Sequence, residues 1–412
     1  LKPELFIGGA GASRRRWMAR WRPLSVHTTL TTRAPWYWLG TTLEDLKPGA
    51  ELSVVDDISM DDPALISLTD GTAQGPRWIQ HTHGTLCRTV AQLGADRQGV
   101  HLSSSLVIGL LIPITGQTSV CARLDTRRPG EAEPASLFEV LADFGPATLS
   151  GSPALMSQIA RLPAGCDPVF SAIREVLVLG ARLSLVEQER LESRVGSDTT
   201  IQLLYGTAEC LLIAQLPAQR RRQLETGAET MKVVCLGLPE AALHIGVEEP
   251  GAGAPSDDQR HLQPGDAGVL WIRGPTVAGL AGQWICTGDL VSCDDEGHLW
   301  FMGRETDRVR HERSVLDTVP VELLFESHDE VARAALVAAG EGDSRRPAVV
   351  IQSVLELSVE QQERLRGELR DLAVTRGLPI ELFLFHEHIP LDLRHGVRIQ
   401  RRMLALWADA QI

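Results

Sequence analysis

The chain has 412 residues, 43% of them apolar, and its 53 acidic against 40 basic side chains give a formal net charge of -13. That length exceeds what one hydrophobic core usually supports, so at least two domains are expected. The surplus of negative charge excludes general attraction to nucleic acid or to anionic membrane surfaces.

Leu5-Phe6-Ile7 reads as a strand. The Gly8-Gly9-Ala10-Gly11-Ala12-Ser13 turn after it has the outline of a dinucleotide loop. Three arginines follow at once and no acidic residue is placed for a ribose, so ordinary strand-to-helix turn chemistry is the better reading. Arg14 to Trp21 interleaves bases with aromatics and reads as a solvated helix face rather than a membrane or single-strand binder.

From Asp62 to about Val277, short apolar strands (Leu65 to Leu68, Glu175 to Leu179, Thr200 to Leu204, Val269 to Ile272) alternate with helical segments. This predicts an α/β body with a largely parallel sheet. One helix is punctuated by a Ser184/Glu187 capping box and by Gly196 as a stop. The apolar run Leu106 to Ile114 is broken by Gly109 and Pro113. It falls short of the roughly 20 residues of a membrane span, so no transmembrane segment is expected.

After Arg304 a smaller α+β unit is predicted, with strands at Ala334 to Ala338, Ala348 to Ile351 and Leu382 to Phe385. Its main helix starts at a Ser358/Gln361 capping box, carries a Leu365, Leu369, Leu372 stripe and ends at Gly377. The seven cysteines (87, 121, 166, 210, 235, 286, 293) fit no disulfide or metal spacing, and the N-terminus has no secretory pattern. Both predict a cytoplasmic protein.

The residues able to carry chemistry fall at strand ends, where α/β sheets bind ligands. Thr69-Asp70-Gly71-Thr72-Ala73-Gln74-Gly75-Pro76-Arg77 follows a strand and has hydroxyls and backbone amides for a triphosphate, with Thr69, Gly71, Thr72 and Arg77 as the candidate contacts. Gly180-Ala181-Arg182 lets backbone approach one face of a base. Tyr205-Gly206-Thr207-Ala208-Glu209 offers a ring for adenine, a hydroxyl for an α-phosphate and, in Glu209, a hard oxygen ligand for Mg²⁺. Asp289, after Thr287-Gly288, accepts from ribose hydroxyls, and Arg304 donates to the same sugar. These are the parts that ATP-dependent activation of a carboxylate requires. His81-x-His83 lacks a third metal ligand nearby, and Ser150-Gly151-Ser152-Pro153 lacks the form of a hydrolase elbow.

Further motifs are Gly297-His298-Leu299-Trp300-Phe301-Met302-Gly303-Arg304, Thr318-Val319-Pro320-Val321-Glu322, and Phe383-Leu384-Phe385-His386 with Pro390-Leu391-Asp392-Leu393-Arg394-His395. With these the chain resembles the adenylate-forming superfamily of acyl-CoA synthetases, luciferases and peptide-synthetase adenylation domains. Within it, the chain resembles the olefin β-lactone synthetases most, from about residue 5 to the C-terminus.

The resemblance implies an adenylate-forming fold with residues 1–303 as a large body and 304–412 as a lid hinged near Thr306. It implies ATP and Mg²⁺ acting on a long-chain carboxylic acid, with a 2-alkyl-3-hydroxy acid closing to a β-lactone. Leu106, Leu110 and Ile112 are the implied linings of an acyl pocket, with core burial as the alternative for each. The implied partners are that small molecule and other enzymes of a lipid or olefin pathway, and no nucleic acid. The relatives' first N-terminal subdomain has no counterpart here, so the chain reads as N-terminally shortened.

Two departures bear on activity. The phosphate loop differs from the family pattern at Asp70, Ala73, Gln74, Arg77 and Trp78, which predicts weakened ATP binding. The only lysines are Lys2, Lys47 and Lys232, and the lid position that carries a catalytic lysine in the family is Arg398. A planar guanidinium is a different donor from a compact ammonium. The alternative expectation is therefore an impaired homologue that binds nucleotide or acyl groups without turnover.

Overall fold

The structure, a computed structural model, describes residues 5–8, 26, 28–31, 41–42, 45, 57–68, 77–93, 98–120, 129–131, 133–163, 167–226, 234–255, 263–279, 282–340, 345–392 and 398–412. The glycine turn beyond Gly8, the arginine-rich stretch 14–21, the phosphate-loop candidates Thr69, Gly71 and Thr72, and residues 393–397 lie outside the described residues. The chain forms two compact units, residues 1–58 and 59–412. In the first, β1 (Leu5–Gly8), β2 (Thr28–Thr31) and β3 (Thr41–Thr42) make a parallel sheet in that order.

The second unit begins with a hairpin of β4 (Pro63–Leu68) and β5 (Trp78–Thr82), followed by α1 (His83–Gln92). Then come β6 (Val100–Ser103), α2 (Leu106–Leu111), β7 (Thr118–Val120), α3 (Pro134–Phe144), β8 (Thr148–Gly151), α4 (Pro153–Ala160), β9 (Glu175–Leu179), α5 (Leu185–Arg194) and β10 (Thr200–Tyr205). The five strands β6 to β10 run parallel. In β9, Val176, Leu177 and Val178 are all buried, as expected of a parallel strand covered on both faces.

The sheet continues past β10 through β11 (Ala214–Pro217), which leads into α6 (Ala218–Thr226), and β12 (Val234–Pro239). Beyond them lie β13 (His244–Glu248), β14 (Ala267–Arg273), β15 (Ile285–Cys293) and β16 (Leu299–Arg304), giving eleven strands in the order β13-β14-β15-β16-β12-β11-β10-β9-β8-β6-β7. The six strands from β11 to β16 pair antiparallel. The expectation of a largely parallel sheet thus describes one half only, since every pairing from β10–β11 onward is antiparallel. The α5 start is also corrected. Ser184 accepts the Glu187 N–H at 3.1 Å, but the Glu187 carboxylate accepts from the Ser184 hydroxyl at 3.0 Å, leaving the reciprocal backbone half of the box unformed. The helix stops at an extended Val195, without a left-handed glycine at Gly196.

After Arg304 the elements are β17 (Val309–His311), β18 (Ser314–Leu316), α7 (Thr318–Glu326), β19 (Val331–Ala339), β20 (Arg346–Ser353), α8 (Val359–Thr375), β21 (Leu382–Phe385) and α9 (Arg401–Asp409). The capping box of Ser358 and Gln361 forms at the start of α8 as expected, and Leu365 and Leu369 are fully buried. Gly377 adopts φ +63° past its end. One apolar layer packs α8 and Phe383 on β19 and β20, and another packs Leu404 and Ala408 of α9 on the opposite face. Helix α7 leans on the large sheet through Val319, Leu323, Trp300 and Met302. Arg401 at the start of α9 pairs with Glu322 of α7 and, at 3.4 Å, with Asp307.

Candidate active site

Strands β9 and β10 lie side by side in parallel register, so their C-terminal loops emerge together. The first loop opens with Gly180 at φ +92°, a conformation that favours glycine. The second is the Gly206 to Glu209 turn. A Cβ on Gly206 would lie 2.2 Å from the Leu211 carbonyl oxygen, so backbone leaves no room for a side chain. The Thr207 N–H donates to the Cys210 carbonyl at 2.8 Å, and the Thr207 hydroxyl accepts from the Cys210 N–H at 3.3 Å. From β5, His81 Nε2 donates to the Ala208 carbonyl at 2.9 Å. The Ala278 N–H donates to the Glu209 carbonyl at 2.7 Å. His81 is buried, and that burial holds its imidazole below the usual 6.5. Gly206→Ala should push the turn open and lower the melting temperature by several degrees, as expected for a loss of about 2 kcal/mol or more. A thermal melt of the variant with an unchanged midpoint would contradict the crowding seen here.

The turn presents Glu209, which is 7% exposed, and Arg77 Nη2 donates to its Oε1 at 2.7 Å. Across the sheet, Gly288 at φ +72° turns the strand into Asp289, whose N–H donates to the Thr287 hydroxyl at 3.1 Å. The Tyr205 hydroxyl donates to Asp289 Oδ2 at 2.7 Å, and Arg304, opposite in the β15–β16 register, places Nε 3.4 Å from Oδ1. Burial pushes the Asp289 carboxyl above 3.8, with the charges of Arg304 and Arg398 and the Tyr205 hydrogen bond opposing the rise. Burial and the adjacent carboxylate raise the Tyr205 phenol well above 10.0, keeping it a donor.

Arg398, between β21 and α9, reaches the same place. Its N–H donates to Asp392 Oδ1 at 3.0 Å, and its carbonyl accepts the Asp392 N–H at 2.8 Å. With the Arg398 backbone held in this way, Nη2 donates to the Gly180 carbonyl at 2.7 Å. Tyr205, Asp289, Arg304, Gly180 and Arg398 therefore converge, although they lie far apart in sequence.

Other candidates are placed differently. Arg182 faces Glu326 of α7 at 3.9 Å, and Ala181 beside it is half-buried. Leu106 and Leu110 are exposed at 61% and 60% on α2, whereas Ile112 is buried against Leu93, Ile108 and Leu212. Several features carried no sequence signal. Arg221, in the run Arg220–Arg222, is fully buried, donating to the Leu183 carbonyl at 2.7 Å and to Glu225 at 2.9 Å. His101, Ser150 and Ser103 form a buried chain with links of 2.8 Å each.

The residues present fit a nucleotide and a divalent cation. The buried Asp289 carboxylate and the Tyr205 hydroxyl lie together at the strand ends, and Glu209 supplies one hard carboxylate. No group of three or more His, Cys, Asp or Glu suited to a metal occurs among the described residues. That composition suits Mg²⁺ held by a single carboxylate and substrate phosphates.

A large α/β sheet whose strand ends gather these side chains is the fold of the adenylate-forming enzymes. Residues 18–279 match the AMP-binding enzyme family, and the chain belongs to it. It is 30% identical over 449 residues to the olefin beta-lactone synthetase of Stenotrophomonas maltophilia, covering 100% of this chain and 79% of that protein. The olefin beta-lactone synthetase of Xanthomonas campestris is 29% identical, with 100% and 78% covered. Among solved structures, the ATP-bound MatB of Rhodopseudomonas palustris superposes with a TM-score of 0.73 at 15% identity, covering 99% of this chain and 80% of that one. The protein is thus an enzyme of the AMP-forming ligase type that uses ATP to activate a small-molecule carboxylate, and the alternative of a non-catalytic binding protein is not favoured. No helix among the described residues is long and apolar enough to cross a membrane.

Proposed function

We propose that this enzyme activates a long-chain 2-alkyl-3-hydroxy acid and closes it to a β-lactone. The convergence of Tyr205, Asp289, Arg304 and Arg398 on one pocket carries the adenylation step. The substrate class follows from the two β-lactone synthetases that resemble the whole chain. A carboxylate oxygen of the acid attacks the α-phosphorus of ATP and the bond to pyrophosphate breaks, leaving an acyl adenylate. The 3-hydroxyl oxygen then attacks the acyl carbonyl, AMP departs, and the hydroxyl proton passes to solvent. Both reacting groups sit on one molecule, so closure gains from proximity and needs no coenzyme A.

In this reading Tyr205 and the Gly180–Arg182 loop flank the adenine, Asp289 and Arg304 hold the ribose, and Thr207 and Arg77 face the phosphates. Glu209 would hold Mg²⁺, which when bound neutralises phosphate charge. Residues 304–412 act as the lid on residues 1–303, with the turn Glu305–Asp307 around Thr306 as hinge, and Arg398 is delivered to the reacting phosphate. Leu106 and Leu110 line the approach for the acyl chain, whereas Ile112 takes the alternative of core burial. The partners we infer are cytoplasmic enzymes that supply the hydroxy acid and consume the lactone.

Pyrophosphate–ATP exchange with 2-alkyl-3-hydroxy acids, followed by mass analysis for the lactone, tests this function. Acid-dependent exchange and a product lighter than the acid by one water are expected. Absence of exchange at saturating acid, in protein that still binds ATP, would reject it.

A further inference from the structure

Arg304 and Arg398, the cations that reach Asp289 and the Gly180 carbonyl, each lie three residues before a member of one ion pair. Asp307 follows Arg304 in the turn Glu305–Asp307, and Arg401 follows Arg398 at the start of α9. Arg401 Nε lies 3.4 Å from Asp307 Oδ2. The rest of the Arg401 guanidinium is committed elsewhere. Nη1 and Nη2 donate to the two carboxylate oxygens of Glu322 in α7, the second at 2.9 Å, and Nη1 also donates to the Leu336 carbonyl of β19 at 3.1 Å. Glu322, 7% exposed, accepts the Leu336 N–H at 2.8 Å. Burial works against the Arg401 charge, yet Glu322 and Asp307 together hold the guanidinium above its ordinary pKa. The forked head is thus fixed to α7 and β19, and its Nε edge faces the turn that follows Arg304.

The chain between Arg398 and Arg401 has little slack. Leu391 and Ile399 pair as an antiparallel bridge, the Gln400 N–H donates to the Pro390 carbonyl at 2.9 Å, and the Gln400 side-chain amide donates to the Leu391 carbonyl at 2.7 Å. A shift of Arg401 is therefore passed to Arg398, whose backbone is joined to Asp392 beside the same bridge.

We propose that the Asp307–Arg401 pair positions Arg398 relative to Arg304, so that one cation meets the reacting phosphate while the other holds the sugar. Asp307 and Arg401 are positioning residues, acting through Arg398 and touching no substrate. Placement of this kind bears on rate, because a misplacement of about 1 Å can lower it on the order of a hundredfold. The inference rests on the adenylation roles proposed above for Arg398 and Arg304.

Asp307→Asn removes the charge of the pair and leaves Arg401 on Glu322, so the buried ion pair of the fold stays intact. In the full chain, pyrophosphate–ATP exchange at saturating acid should run about tenfold slower at its maximum, with the KM for ATP changed less than about twofold. Asp307→Glu, which keeps the carboxylate, should recover most of that loss. The deciding measurement is a double-mutant cycle with Arg398→Ala, run at raised enzyme concentration. Asp307→Asn should lower the rate no further in the Arg398→Ala chain, because the group it positions is gone. An equal loss in both backgrounds, or an Asp307→Asn enzyme as fast as wild type, would overturn the positioning role. An Arg398→Ala chain as fast as wild type would instead reject the role of Arg398 on which the proposal rests.

Discussion

Arg398→Ala is expected to lower the acid-dependent pyrophosphate exchange rate about a hundred- to a thousandfold, the usual effect of losing one donor aimed at developing charge. The Arg398 guanidinium lies at the strand ends, with its backbone held by the Asp392 contacts and its Nη2 received by the Gly180 carbonyl. The loss should fall on kcat, with little change in the KM for ATP, because the contact matters most when phosphate charge develops. Arg398→Lys restores the compact ammonium that this position carries in the family, and it is expected to exchange faster than wild type. Steady-state exchange kinetics of the two variants check this. An alanine variant as fast as wild type would remove Arg398 from the chemistry.

Asp289→Ala carries the second large effect, on both stability and nucleotide affinity. Asp289 is 6% exposed and receives the Tyr205 hydroxyl and the Arg304 guanidinium. Removing it leaves the Tyr205 phenol without this acceptor, a change worth about 1–3 kcal/mol. With Asp289 as the ribose acceptor of the proposed function, ATP should raise the melting temperature of the variant less than that of wild type.

Asp289→Asn separates charge from shape. Burial lifts the folded-state pKa above 3.8, so ionisation of this carboxyl weakens the fold. The stability it contributes is complete below 3.8 and is lost as pH rises through the folded-state value. Asparagine cannot ionise, so the variant's stability should lack that fall. Denaturant melts of wild type and Asp289→Asn across acid pH would show the difference, and parallel curves would contradict it.

Much of this architecture is legible locally. Strand β9 spans Glu175–Leu179 and β21 spans Leu382–Phe385, as their apolar runs bounded by turns predict. The α8 cap follows from Ser358 and Gln361 alone, because a capping box involves only near neighbours. Tyr205, Asp289 and Arg304 are named by motifs, yet their hydrogen bond and ion pair depend on pairing β10, β15 and β16 in one sheet. The apolar run around α2 marks a helix, but not which face is covered. Leu106 and Leu110 point outward while Ile112 is in the core.

From the chain order alone come the presence of the main strands and helices, the α/β character, the kinship to AMP-binding enzymes and the polar side chains proposed to serve adenylation. These depend on periodicity and on motifs spanning a few residues. The tertiary structure alone decides what each of those side chains touches: Arg77 on Glu209, Arg398 on the Gly180 carbonyl, Arg182 toward Glu326, and Arg221 sealed in the interior. Long flexible cations take whichever carboxylate or carbonyl the fold brings within reach, and that neighbour is set by sheet order and by the docking of α7 on β16, which no local pattern encodes.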